Sequence, residues 1–136
     1  MQIRRYRDGD IEKIDLQDEQ KHEVAGVKYP KDTSFTVEDN GEVLGCFAFL
    51  QVSEKRGVAC AFISRNAGRV MLQMIRKIRK LLDKGMEKTG MERIEISVLE
   101  GFEHGERFAK MLGFELEGVM RKYFKGKNYK LFARVK

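Results

Sequence analysis

The stretch from Val58 to Leu99 constrains the fold more than any other. An apolar run, "VACAFI", stops at Ser64, a glycine follows at Gly68, and the pattern then turns helical as far as Thr89. Met71, Met74, Ile75, Ile78, Leu81 and Leu82 form one face of this helix, and Arg76, Lys77, Arg79, Lys80 and Lys84 fill much of the rest. Gly90 is a natural C-terminal stop, after which "RIEISVL" alternates as a strand. Strand, long helix, strand is a crossover, and a chain that contains one belongs among the α/β mixtures.

The flanking sequence fills in the order. "QIRRY" is a short edge strand, and "RDGDIEKIDLQDEQKHEV" is expected to be helical, with Asp10 as N-cap and Ile11, Ile14 and further on Val24 on its apolar face. Pro30 marks an irregular connection in "KYPKDTS". "FTVED" and "EVLGCFAFLQV" are joined by Asn40-Gly41, the favoured type I′ pair, and form a hairpin. The second hairpin strand and "VACAFI" are apolar on both faces, which predicts central strands covered on each side. Downstream, "EHGERFAKMLG" is a short helix closed by Gly113, and "FELEGVMRKYF" and "NYKLFARV" close the fold as an antiparallel pair around "KGK". The expected order is β-α-(α)-β-β-β-α-β-α-β-β, with a mostly antiparallel sheet and crossovers after the fourth and fifth strands.

With 136 residues the chain is expected to be one domain, 1–136. Hydrophobic residues make up 42% and charged residues 35%, a globular rather than disordered balance, and no apolar run approaches a membrane span. The charged opening "MQIRRYRDGD" carries no apolar signal segment, so a cytoplasmic location is expected. Cys46 and Cys60 sit inside apolar runs without CxxC spacing and are expected to be buried free thiols. With two histidines in the chain, no metal site is expected. The net charge of +6 favours acidic or phosphate-bearing partners.

Strand, glycine loop and helix N-terminus together present backbone N–H groups to an anion, so "SRNAGRV" is a candidate phosphate loop. The whole order, with "DNGEVLGCFAFLQV" and the "LGF-x-x-EG-x-x-R" run near the C-terminus, resembles the GNAT acetyltransferase superfamily, the last run above all its branch acting on the N-termini of ribosomal proteins. That resemblance implies a GNAT-like fold of about seven strands with helices on both faces, splayed between strands 4 and 5. It implies acetyl-CoA as cofactor and an amine, protein N-terminus or lysine as acceptor. By the same resemblance Phe62 and Ile63 line the pantetheine, Ser64, Arg65, Asn66, Ala67, Gly68, Arg69 and Val70 form the pyrophosphate loop, and Phe102 and Phe108 complete the cofactor contacts. Arg65 and Gly68 match the family loop; Val70 stands where the family keeps a glycine or alanine, and Ser64 alone separates strand from arginine.

The last helix departs further. Phe102 takes the family's asparagine position, Gly105 its small position, and Ala109 the position of the tyrosine that protonates the leaving thiolate. In the ribosomal-protein branch a serine does this work, and here its place is taken by Gly105. For a general base, the nearest candidates are Glu100, at the end of the fifth strand, and His104 just beyond it. Their plain alternatives are a solvated loop carboxylate and a surface first-turn residue. His22 lies in the region that covers the acceptor cleft in the family. The departures resemble the small GNAT-like internal virion proteins of podophages, which implies a phage product, located in host cytoplasm or virion, with other virion proteins as partners and with the fold kept after the chemistry is lost. A third reading takes the alternation of Arg121, Lys122, Lys125, Lys127, Lys130 and Arg134 with Tyr123, Phe124, Tyr129 and Phe132 as a nucleic-acid surface; the plainer one is an amphipathic hairpin with its aromatics inside.

Overall fold

The computed structural model describes residues 1–136. Its strands are β1 (Gln2–Arg5), β2 (Ser34–Asp39), β3 (Glu42–Gln51), β4 (Arg56–Ile63), β5 (Arg93–Leu99), β6 (Glu115–Phe124) and β7 (Lys127–Val135), and its α-helices are α1 (Met71–Thr89) and α2 (Glu103–Met111). The seven-stranded sheet runs β1-β2-β3-β4-β5-β7-β6. β1 with β2, β2 with β3, β5 with β7 and β6 with β7 are antiparallel, whereas β4 and β5 are the parallel pair that α1 connects. That parallel ladder covers Arg56–Val58 against Arg93–Glu95, the first part of each strand. The mixed, mostly antiparallel sheet is therefore the one expected.

Two compact units make up the chain. The first comprises Met1–Leu50 and Ala59–Met74, the second Gln51–Val58 and Ile75–Lys136. In the first unit the β2–β3 turn is the I′ hairpin that Asn40-Gly41 predicts, with φ of 50° and 81° at the two residues. Its core gathers Ile11, Ile14, Val43, Cys46 and Phe62, with Tyr6, Leu16, Val24, Val27, Tyr29 and Cys60 packed against them. Ile11, Ile14 and Val24 thus face inward, but not from an α-helix. The segment forms two 3-10 stretches, Ile11–Lys13 and Asp18–Gly26, separated by a bridge of Leu16 to Ser64.

Asp10 explains part of that correction. Its carboxylate makes no N-cap bond. It accepts instead from Arg4 Nη1 (2.8 Å) and Nη2 (3.0 Å), the Arg7 N–H (2.8 Å) and the Thr36 hydroxyl (2.7 Å). With four donors on its two oxygens the carboxylate has no acceptor site left for a cap. The rest follows from pattern: beyond Ile14 no apolar stripe of period 3.6 holds the chain in α geometry.

In the second unit β5 pairs with β7 along its whole length, and α2 packs on β5. The β6–β7 hairpin closes through Lys125-Gly126, both at positive φ, as "KGK" predicts. Tyr129 and Phe132 are buried, whereas Tyr123 is exposed. Two of the four interleaved aromatics thus offer no ring face to a base, and the hairpin is amphipathic. α1 starts at Met71, after a 3-10 turn at Ala67–Val70, rather than at Gly68. It buries Met74, Ile75, Ile78 and Met86, while Leu81, expected on the same face, is 44% exposed. No helix is long and apolar enough to cross a membrane.

Candidate functional site

In the first unit the site is built on the C-terminal half of β4. Ser64 N–H donates to the Leu44 carbonyl of β3 (2.9 Å), so in an antiparallel pair Phe62 and Ser64 direct their backbone groups toward β3. By the alternation of strand geometry, the backbone groups of Ala61 and Ile63 point to the opposite edge. There they meet side chains rather than a strand. The Gln20 carboxamide donates through Nε2 to the Ala61 carbonyl (2.8 Å) and accepts at Oε1 from the Ile63 N–H (3.2 Å). Gln17 Nε2 donates to the Ile63 carbonyl (3.3 Å). Gln20 lies in the second 3-10 stretch and Gln17 immediately before it, and residues three apart in such a turn eclipse and so reach one strand together.

The loop beyond β4 is similarly engaged. Arg65 N–H donates to the Asp15 carbonyl, Asn66 N–H to the Ser64 hydroxyl, and Ala67 N–H to the Ser64 carbonyl. The Arg65 guanidinium donates to the Leu16 carbonyl (2.6 Å) and pairs with Asp15 and Asp18. Arg69 reaches back to Asp39 and Glu42, both 3.1 Å away, and Asn66 donates to Glu42 as well. These contacts hold the carboxyls of Asp18, Asp39 and Glu42 below their ordinary values, with hydrogen bonds from Lys21, the N-terminus and Arg69 the respective leading causes. Two arginines that an anion would need are thus neutralised by carboxylates already present. Val70 is buried, so its bulk lies inside the fold instead of on the loop surface. Gly68 is exposed, with open space where a Cβ would stand.

The strand edge and the loop differ in what they offer to acetyl-CoA. Ala61 and Ile63 hold a carboxamide now, so the edge fits an amide-bearing chain. The amides of Arg65, Asn66 and Ala67 are spent within the fold, so they do not fit a pyrophosphate as they stand. Phe62 and Ile63, expected with the loop as cofactor contacts, are both buried.

In the second unit Glu100 follows β5, and its N–H donates to the Asn128 carbonyl (3.0 Å). Glu100 and His104 are both exposed, His104 in the first turn of α2. Phe102 and Phe108 are 4% and 7% exposed and belong to the buried part of α2 and its approach. Gly105 is explained by the first of these rings: a Cβ there would stand 2.7 Å from Phe102 Cδ2 and 2.9 Å from Val98 Cγ1. A serine is therefore excluded at Gly105 while Phe102 keeps its place. Ala109 is fully buried. Neither residue brings a hydroxyl to this helix.

Sequence reasoning passes over Gln17 and Gln20. The available signal is two glutamines three apart in a segment without an apolar period, a spacing that a 3-10 turn stacks on one side. His22 is half-buried beside Glu23, at 3.9 Å.

No protein-family model matches the sequence, and no curated protein matches it. Solved structures do. An acetyltransferase of the GNAT family from Bacillus anthracis superposes with TM-score 0.71 at 14% identity, over 98% of this chain and 93% of that one. A point mutant of the spermidine N-acetyltransferase SpeG from Vibrio cholerae gives TM-score 0.62 at 15% identity over 75% of this chain, which spans 64% of that protein. The microcin C7 self-immunity acetyltransferase MccE, in complex with acetyl-CoA and AMP, gives 0.65 at 18% over 76% of this chain, which spans 60% of it. At such identities the likeness is one of fold, and the fold of this chain is that of the GNAT acetyltransferases.

Proposed function

We propose that the chain is an acetyl-CoA-dependent N-acetyltransferase of GNAT type, acting on an amine. One observation carries the proposal: the outer edge of β4 at Ala61 and Ile63 binds a carboxamide in the fold of these acetyltransferases. The acetyl-CoA held by MccE supports the ligand class, and the spermidine acetyltransferase supports an amine acceptor. When bound, acetyl-CoA supplies a thioester-activated acetyl group. The chain's own part is to orient through the β4 backbone and to remove a proton from the attacking amine. Glu100 and His104 are the candidates of this reading for that proton, both exposed on the second unit. Because Gly105 and Ala109 carry no hydroxyl, water supplies the proton that the leaving thiolate takes up, and the loop's part falls to amides other than those of Arg65, Asn66 and Ala67.

A second reading is a GNAT-fold protein without the chemistry, serving as an internal virion or assembly component. It is favoured by the packing of Phe102 into the space of a side chain at Gly105. Calorimetric titration with acetyl-CoA and with CoA separates the two. Micromolar binding is the outcome expected of the enzyme, and silence at millimolar ligand overturns it in favour of the second reading.

A further inference from the structure

We infer that Gln20 is a gate: its carboxamide stands in for a ligand amide on the edge of β4, and an amide-bearing chain binds there only when Gln20 leaves. The inference rests on the acetyl-CoA reading above for the identity of the probe. Gln20 is 7% exposed, a deeply buried polar side chain. Its donor meets the Ala61 carbonyl and its acceptor meets the Ile63 N–H, two residues on. A carbonyl and the N–H two residues later are what one strand edge offers to the amides of an extended partner. One primary carboxamide thus satisfies both groups, which would otherwise be orphaned in a buried place.

The surrounding contacts show what opening requires. Gln17 donates to the Ile63 carbonyl, the Arg65 N–H donates to the Asp15 carbonyl, and Leu16 bridges Ser64. The segment Asp15–Gln20 therefore lies along the edge as a short strap. Gln20 sits in a 3-10 segment, whose hydrogen bonds are poorer than those of an α-helix, so the strap is held largely by these contacts to β4. Arg65 ties it from the other side, through Leu16, Asp15 and Asp18, with exposed ion pairs that contribute little. The arrangement is a weakly held cover over a well-formed amide site.

The test compares wild type with Gln20→Ala and Gln20→Met by calorimetry. Gln20→Met nearly keeps the size of the side chain but carries neither the donor for the Ala61 carbonyl nor the acceptor for the Ile63 N–H, so it frees the edge with little cavity. The probes are acetyl-CoA, CoA and adenosine 3′,5′-bisphosphate, which carries no amide chain. Both variants are expected to bind acetyl-CoA and CoA about tenfold more tightly, the scale of one or two displaced hydrogen bonds, with bisphosphate affinity unchanged. Amide hydrogen exchange at Ile63 gives the independent readout: fast in the free variants, slow again with CoA bound. Equal affinity for CoA in all three proteins overturns the gate and leaves the acetyl-CoA reading standing. A gain for the bisphosphate as large as that for CoA also overturns it, because the effect is then not on the amide chain. Silence of all three proteins to every probe overturns both readings together.

Discussion

Removing the charge of Asp10 while keeping its shape tests the account of the first unit. Asp10 is 1% exposed and its carboxylate receives two bonds from Arg4, one from the Arg7 N–H and one from the Thr36 hydroxyl. All four bonds come from donors, so a carboxamide in its place cannot serve them: its N–H₂ must face at least one donor. In Asp10→Asn the Arg4 guanidinium, itself 11% exposed, also loses its buried counter-charge, although Glu38 remains 3.3 Å from Arg4 Nε. Breaking a buried pair from one side costs about 3–5 kcal/mol. Glu38 places the expected loss at the lower end, about 3 kcal/mol. Urea denaturation at pH 7 measures it, and the double variant Arg4→Met/Asp10→Leu is expected to retain more stability than Asp10→Asn. The same group sets the acid limb. Burial pushes the Asp10 carboxyl up, but the bonds from Arg4, Arg7 N–H and Thr36 together outweigh it and lower it to about 2. Because the folded value lies below the unfolded one, its contribution is complete above about pH 4 and is lost as pH falls through about 2. That contribution amounts to about 2 kcal/mol, and Asp10→Asn should flatten the limb by this amount. A loss below about 1 kcal/mol at pH 7, with the acid limb unchanged, would refute the reasoning.

Gly105→Ser forces a Cβ into the Phe102 ring and is expected to cost about 1–3 kcal/mol by thermal unfolding, with Phe102→Leu in the same chain recovering part of it; a neutral Gly105→Ser would show that the ring moves freely. Val70→Gly removes a buried side chain and is expected to cost at least about 1–2 kcal/mol, while acetyl-CoA affinity stays as in wild type; a calorimetric gain would place the valine on the ligand side after all. Burial pushes the Cys46 thiol up to about 12 and the Cys60 thiol up to about 11. Both should therefore react with a disulfide reagent at pH 8 far more slowly in the native protein than in urea, and equal rates would mean that the first unit is open.

Much of the fold is legible in the sequence because local chemistry and tertiary demand agree. Asn40-Gly41 and Lys125-Gly126 supply the positive φ that tight hairpins need, and the α1 stripe of Met74, Ile75 and Ile78 is buried as its spacing predicts. The segment after β1 departs from its sequence reading because its conformation depends on distant partners. Asp10 looks like a cap in sequence, and only the approach of Arg4 and Thr36 turns it into the acceptor of a buried network. Leu81 lies on the expected face yet stays exposed, since a stripe of α1 wider than its buried contact leaves its margin in solvent.

The amino-acid order by itself determined β1 and, from β2 onward, the sequence of strands and α-helices, the hairpin turns and the helix crossover between β4 and β5, because these follow from periodicities and turn residues within a few positions of each other. Whether the Arg65 amide is free, and what lies on the edge of β4, was decided only by tertiary structure. Arg65 and Gly68 have the spacing of an anion loop, but hydrogen bonding is a competition among all donors and acceptors brought within reach. Ser64 takes the Asn66 and Ala67 N–H groups locally, from two and three residues back, but Asp15 and Gln20 reach the Arg65 and Ile63 N–H groups only through folding, and no spacing along the chain records that they do.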